Sequence, residues 1–236
     1  MVEFAYAVGR IRALEVHLLD ESHIIRMVDA RDFESAYHVL RENPYYSEKI
    51  DRLPHAFDFE ALLRQELSEV KELLENLAPK NEVLAAVWKK YEPEMTLDAY
   101  VLGLLAAAKK HPVRLFLSYA YAFVALYQLR KELLEGKLDP ETAVNRFRYT
   151  DYYRAVSAGM EHYKKSGSLL ALEREIDNQL MNIVKMAKYK AFGIEPLLGY
   201  AIAKEIEVKV LKLILTAKRM RVRTEEIKER LRLTYV

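Results

Sequence analysis

PLLGYAIAKEIEVKVLKLILTAKR, residues 196–219, decides the fold of this chain. It opens on Gly199-Tyr200, carries the paired glutamates Glu205 and Glu207, and runs on as a helix that ends in basic residues. Side chains two apart on a helix point away from each other, so Glu205 and Glu207 do not make an acid–base pair. Glu205 stands four before Lys209, the favourable order for a surface ion pair worth ~0.3 kcal/mol. Glu207 has Leu211 at that spacing instead. It is therefore expected to reach a partner, or a base on another helix, with Arg10 and Arg12 as the candidates.

The same helical spacing extends outward from this stretch. Phe4, Val8, Ile11, Leu14 and Leu18 recur three and four apart and form one apolar stripe. Ser22 is expected to cap a short helix through Met27, and Asp32 to cap the next, 33–41, which Asn43-Pro44 stops. Further helices are expected over 58–77, 82–91, 96–109, 113–135, 140–146, 151–164, 169–190 and 224–233. No strand alternation appears, so the fold class is all-α.

The 236 residues include 7 Gly and 7 Pro and are 51% hydrophobic, a composition that favours helix. There is no Cys, which excludes disulfides, thiolate metal sites and cysteine nucleophiles. The net charge of +2 is far from that of a dedicated nucleic-acid binder. Glu3, Arg10 and Arg12 interrupt any apolar leader at the N-terminus. The longest uncharged stretch, 115–129, has 15 residues and three Tyr, short of the ~20 a membrane span needs. A soluble or peripheral protein is expected.

Catalytic and ligand motifs are missing. No phosphate loop, dinucleotide fingerprint, nucleophile elbow, zincin or EF-hand pattern occurs. Asp20-x-x-His23 with Glu15 upstream is one imperfect half of a di-iron motif, and the six histidines do not share a ligand spacing. The reading is no catalytic residue, no metal and no cofactor. The 16 tyrosines are assigned to core edges or a partner interface.

The motifs that do stand out are helical. Gly199-Tyr200, Glu205-x-Glu207 and Leu211-Lys212 resemble the signature helix of the C subunit of A-type and V-type ATP synthases, called the d subunit in vacuolar enzymes, with Lys212 where Arg is usual. Residues 4–20, with Arg10-x-Arg12-Ala-Leu-Glu15, are similar to that family's opening helix. Residues 169–186, with Glu173 and Asp177, resemble the helix before the signature. The resemblance implies a non-catalytic helical socket, peripheral on the cytoplasmic face of a membrane, that joins central-stalk subunits to the membrane rotor ring. The alternative is a helical scaffold or interaction module unrelated to rotary ATPases.

Family members are built from repeated helical domains, usually three, and 236 residues suffice for two. Residues 129–137 align with 211–219 at an offset of 82, and Tyr45-Tyr46 precedes one acidic helix as Tyr152-Tyr153 precedes another. Two units, 1–138 and 139–236, are therefore expected. The basic run 218–232 holds seven Lys/Arg against three Glu. Within it Arg219, Arg221 and Arg223, together with Glu207, are the candidate partner contacts, the Arg residues sitting in a connector before Thr224, the expected cap of the last helix.

Overall fold

The computed structural model describes residues 4–236, and Glu3 lies outside them. The chain runs through α1 (Ala5–Glu15), α2 (Glu21–Asp29), α3 (Phe33–Arg41), α4 (Pro44–Asp51), α5 (Phe59–Leu77) and α6 (Glu82–Trp88). A 3₁₀ turn, Lys89–Tyr91, leads to α7 (Leu97–Lys110) and α8 (Arg114–Phe123). A π-helical turn, Val124–Leu129, then joins α9 (Arg130–Leu134), followed by α10 (Pro140–Arg146), α11 (Tyr153–Ser166) and α12 (Leu170–Lys185). A second 3₁₀ turn, Met186–Tyr189, precedes α13 (Glu195–Arg219) and α14 (Thr224–Lys228). No strand forms among the described residues, and the fold is all-α.

Short polar side chains start half of these α-helices by satisfying the first free backbone N–H groups. Asp32, Asp58, Asn81, Thr96 and Asp139 each accept from the first turn of the helix that follows. Four local expectations are corrected. Asp20, not Ser22, caps α2; Ser22 lies inside the first turn and donates its hydroxyl to Asp20 at 2.7 Å. Asn43-Pro44 ends α3 but also begins α4, because the Asn43 side chain accepts the Tyr45 N–H at 3.0 Å and Pro44 takes the first helical position. The helix expected over 113–135 contains the π turn. The helix expected over 224–233 stops at Lys228, and Thr224 is its first helical residue rather than its cap.

After Lys228 the chain lies across the bundle as a strap. Leu233 donates its N–H to Asn178 at 2.9 Å, Tyr235 donates its hydroxyl to Glu15 at 2.6 Å, and Lys188 donates to the Tyr235 carbonyl at 2.6 Å. Those partners belong to α12, α1 and the second 3₁₀ turn, so the strap closes three distant segments together.

The central element is α13, apolar on nearly all sides over Pro196–Ala203 and packed against α1, α3, α5, α8 and α12. Gly199 explains part of its signature: a Cβ there would stand 2.8 Å from the Ala187 Cβ, so only Gly lets the 3₁₀ turn lie against the helix. Tyr200 next to it is buried. Leu40, Leu62 and Phe116 share one core with Val156, Ile176 and Leu211, so residues on both sides of 138/139 contribute to it. Of the two aligned segments, 129–137 ends at the turn through Gly136 with Leu134 exposed, whereas 211–219 is a core-facing end of α13.

Candidate partner-contact site

Four charged residues of α13 point in different directions, and each ties the helix to another element. Lys204 is 0% exposed and lies 2.8 Å from Glu66 of α5 and 2.9 Å from Glu207. Glu207 also accepts the Tyr46 hydroxyl from α4 and the Leu19 N–H from the α1–α2 connector, both at 2.6 Å. Glu66 further accepts from Lys49 and the Tyr45 hydroxyl, and Lys49 also reaches Glu69 at 2.6 Å. The Tyr45 ring stacks under both ammonium groups, 4.3 Å from Lys49 and 4.5 Å from Lys204. Burial alone would raise the Glu66 carboxyl, but Lys204 and Lys49 outweigh it and hold it below the ordinary carboxylate value. Burial would lower Lys204, but Glu207 and Glu66 outweigh it and keep it above the ordinary lysine value.

These contacts correct the expectation for Glu207. It faces inward, and its base is Lys204 on its own helix, one turn back. Arg12 is occupied by Glu15 at 2.7 Å and by the carbonyls of Ala187 and Lys190, and Arg10 stands exposed. The physical reason is position: α13 is central, so Lys204 and Glu207 on its covered face meet protein rather than water, while Lys212 on its open face is exposed.

Glu205 departs from expectation in the same way. Instead of pairing with Lys209 at the surface, it meets Lys90 at 2.7 Å and accepts from the hydroxyls of Tyr91 and Tyr119, both at 3.1 Å. Burial pushes the Lys90 ammonium below its ordinary value, partly opposed by Glu205. Lys209 turns to Asp177 of α12 at 2.9 Å, where Arg232 of the strap also binds at 3.1 Å. Several of the tyrosines thus serve as hydrogen-bond donors to buried carboxylates, a role composition could not assign.

The three arginines in the basic run separate into two kinds. Arg219, though exposed, is laid onto the protein surface: its guanidinium lies 4.6 Å from the Phe33 ring centre and 4.7 Å from that of Phe59, and donates to the Phe57 carbonyl at 3.2 Å. Arg221 and Arg223 are exposed without such ring contacts. Arg221 adopts a left-handed backbone, φ 56°, in the connector, and Arg223 pairs with Glu226 at 2.7 Å on α14. Beside them opens a groove of about 610 Å³, with Leu213, Met220, Val222 and Ile227 on its walls and Lys212 and Arg230 among its charged residues.

Among the described residues no group of three or more His, Asp and Glu is arranged to hold a metal, and no helix is long and apolar enough to cross a membrane. The Asp20–His23 pair is a local contact, 2.8 Å between the carboxylate and Nδ1, that accompanies the cap of α2.

The model of the ATP synthase (C/AC39) subunit family matches residues 7–96 and again residues 94–230. The chain belongs to this family. The model thus occurs twice, its two matches meeting at 94–96 before α7, whereas the two units expected from the sequence meet at 138/139. Among relatives, the A-type ATP synthase C subunit of Methanobrevibacter smithii is 28% identical over 206 residues, covering 82% of this chain and 52% of the relative. That of Methanothermobacter thermautotrophicus is 35% identical over 98 residues, 39% of this chain and 25% of the relative. The V-type sodium ATPase C subunit of Enterococcus hirae is 40% identical over 67 residues, 28% of this chain and 20% of the relative. The chain therefore spans about half, or less, of the length of the family members it matches.

Proposed function

We propose that this member of the C/AC39 family is a non-catalytic adapter of an A/V-type rotary ATP synthase. It is a helical socket on the cytoplasmic face of the membrane that joins central-stalk subunits to the rotor ring and transmits torque between them. The observation that carries the reading is the family match, which runs from residue 7 to residue 230. The interior supports it. A part that passes torque must resist deformation, and here one central helix is tied by charge-assisted hydrogen bonds to α4, α5, α8 and α12, while Arg232 ties the strap to α12 at Asp177. The units 1–138 and 139–236 act in this proposal as one body.

Arg221 and Arg223 are the partner-facing residues of the proposal, since both project from the connector beside the groove. Their charge is suited to acidic segments of the stalk or the ring and steers association. Assembly from purified stalk subunits, rotor ring and this chain tests the proposal. A complex in which the chain bridges stalk and ring, and without which hydrolysis no longer drives ion movement, is expected. A chain that binds neither component overturns the adapter role.

A further inference from the structure

Between α12 and α13 the chain reads KMAKYKAFGI over residues 185–194: every side chain is apolar, aromatic or Lys, with no acidic or other polar residue. The first part is the 3₁₀ turn Met186–Tyr189, in which residues three apart eclipse. Met186 and Tyr189 therefore project from one side, 61% and 82% exposed, and Phe192 continues the surface at 57%. Lys190 is exposed beside them, 3.6 Å from Glu195, and Lys185 is half-buried at the base of the turn, while Lys188 is turned inward to the Tyr235 carbonyl. The segment is firmly seated. Arg12 donates to the Ala187 carbonyl at 2.6 Å and to the Lys190 carbonyl at 3.0 Å, Ala187 sits against Gly199, and Gly193 turns the chain back with φ 89°.

We propose that this turn is a membrane-contact surface, in which Tyr189, Phe192 and Met186 enter the headgroup region of an anionic bilayer and Lys185 and Lys190 meet the lipid phosphates. Large apolar side chains held in water on a rigid turn have a cost that burial would relieve. Tyr and Phe are suited to the headgroup depth, and lysines near an anionic leaflet each add attraction that salt screens. A protein partner with an apolar groove would accept the aromatics, but Lys185 and Lys190 on a segment with no acidic residue of its own fit a continuous negative surface better. The inference goes beyond the adapter reading, and its test uses lipid alone, so the two fail separately.

The test is sedimentation of the full chain with phosphatidylcholine vesicles, with and without phosphatidylglycerol. Binding only to the anionic vesicles, weakened by salt, is expected, with Lys190→Glu lowering affinity roughly fivefold or more. The double variant Tyr189→Ser/Phe192→Ser should keep the wild-type melting temperature and lose binding. Independently, Tyr189→Trp should shift its emission to the blue with anionic vesicles, because the single native Trp, Trp88, is buried and contributes a constant background. No sedimentation with anionic vesicles, unchanged binding by the Ser variant, or no emission shift overturns the proposal. So does self-association of the wild type that the Ser variant abolishes, which would make the surface a contact between copies of this chain.

Discussion

The Lys204 ammonium lies 2.8 Å from the Glu66 carboxylate, 138 residues away in the chain, and both side chains are 0% exposed. The pair joins the centre of α13 to the middle of α5, and Glu207 and Lys49 balance its charges on either side. An ion pair in such a place has recovered its desolvation only because every member has a partner.

Lys204→Met is accordingly expected to destabilise strongly. It leaves Glu66 and Glu207 buried with one fewer cation, and breaking a buried pair from one side costs about 3–5 kcal/mol. Urea unfolding of the variant against the wild type measures it. A loss below about 1 kcal/mol, the range of exposed pairs, would mean the network is solvated in solution.

The same network sets a pH dependence with two limbs. Glu66 sits below its unfolded value of ~4.3, so its stabilisation is present above that pH and is lost as pH falls through the lower folded value. Lys204 sits above its unfolded value of ~10.4, so its stabilisation is complete below that pH and is lost as pH rises through the higher folded value. A melting-temperature plateau between about pH 5 and 10 is expected. The gap between wild type and Glu66→Gln should narrow below pH ~4 as the native carboxylate protonates. A gap that stays constant through the acid range would contradict the assignment.

Close helix contacts predict opposite outcomes for two glycines. A Cβ on Gly159 of α11 would come within 2.6 Å of the Leu172 Cα in α12, and backbone cannot yield as a side-chain tip does. Gly159→Ala should cost about 1–3 kcal/mol through overpacking. Gly103, inside α7, has open space at its Cβ position, and Gly103→Ala should stabilise by ~0.5–1 kcal/mol because Ala loses less backbone entropy in a helix. Thermal melts of the two variants side by side read both signs.

Reversal of Arg221 and Arg223 to Glu separates folding from assembly. Exposed pairs such as Arg223–Glu226 are worth ~0–1 kcal/mol, so the melting temperature should move little. Co-purification with stalk and ring subunits should fall, more so at low salt, because like charges then face an acidic partner. Arg219→Ala is the contrasting control: loss of its stacking on Phe33 and Phe59 should cost ~0.5–2 kcal/mol in the isolated chain. Unchanged co-purification of the double reversal would return the connector to ordinary solvated surface.

What the sequence by itself determined is local or compositional. Apolar residues three and four apart specify helices, Asp32 and Asp58 mark helix starts by accepting first-turn N–H groups, and Gly199-Tyr200 with Glu205-x-Glu207 points to the family. Spacing misjudged the charges along that helix: it paired Glu205 with Lys209 and left Glu207 without a base there, whereas Glu205 meets Lys90 and Glu207 meets Lys204. It did not say where those charges go, because a charge's partner is chosen by what packs alongside, and Glu66, Tyr46 and Leu19 are brought to α13 from more than 130 residues away. Only the tertiary structure placed α13 at the centre, which turned Glu205 and Glu207 from surface candidates into buried anchors. It also left Arg221 and Arg223 outside while drawing Arg219 onto two aromatic rings. The reason is physical: periodicity tells which face of a helix is apolar, but the depth of that helix in the bundle depends on how many others cover it, a property of the whole chain.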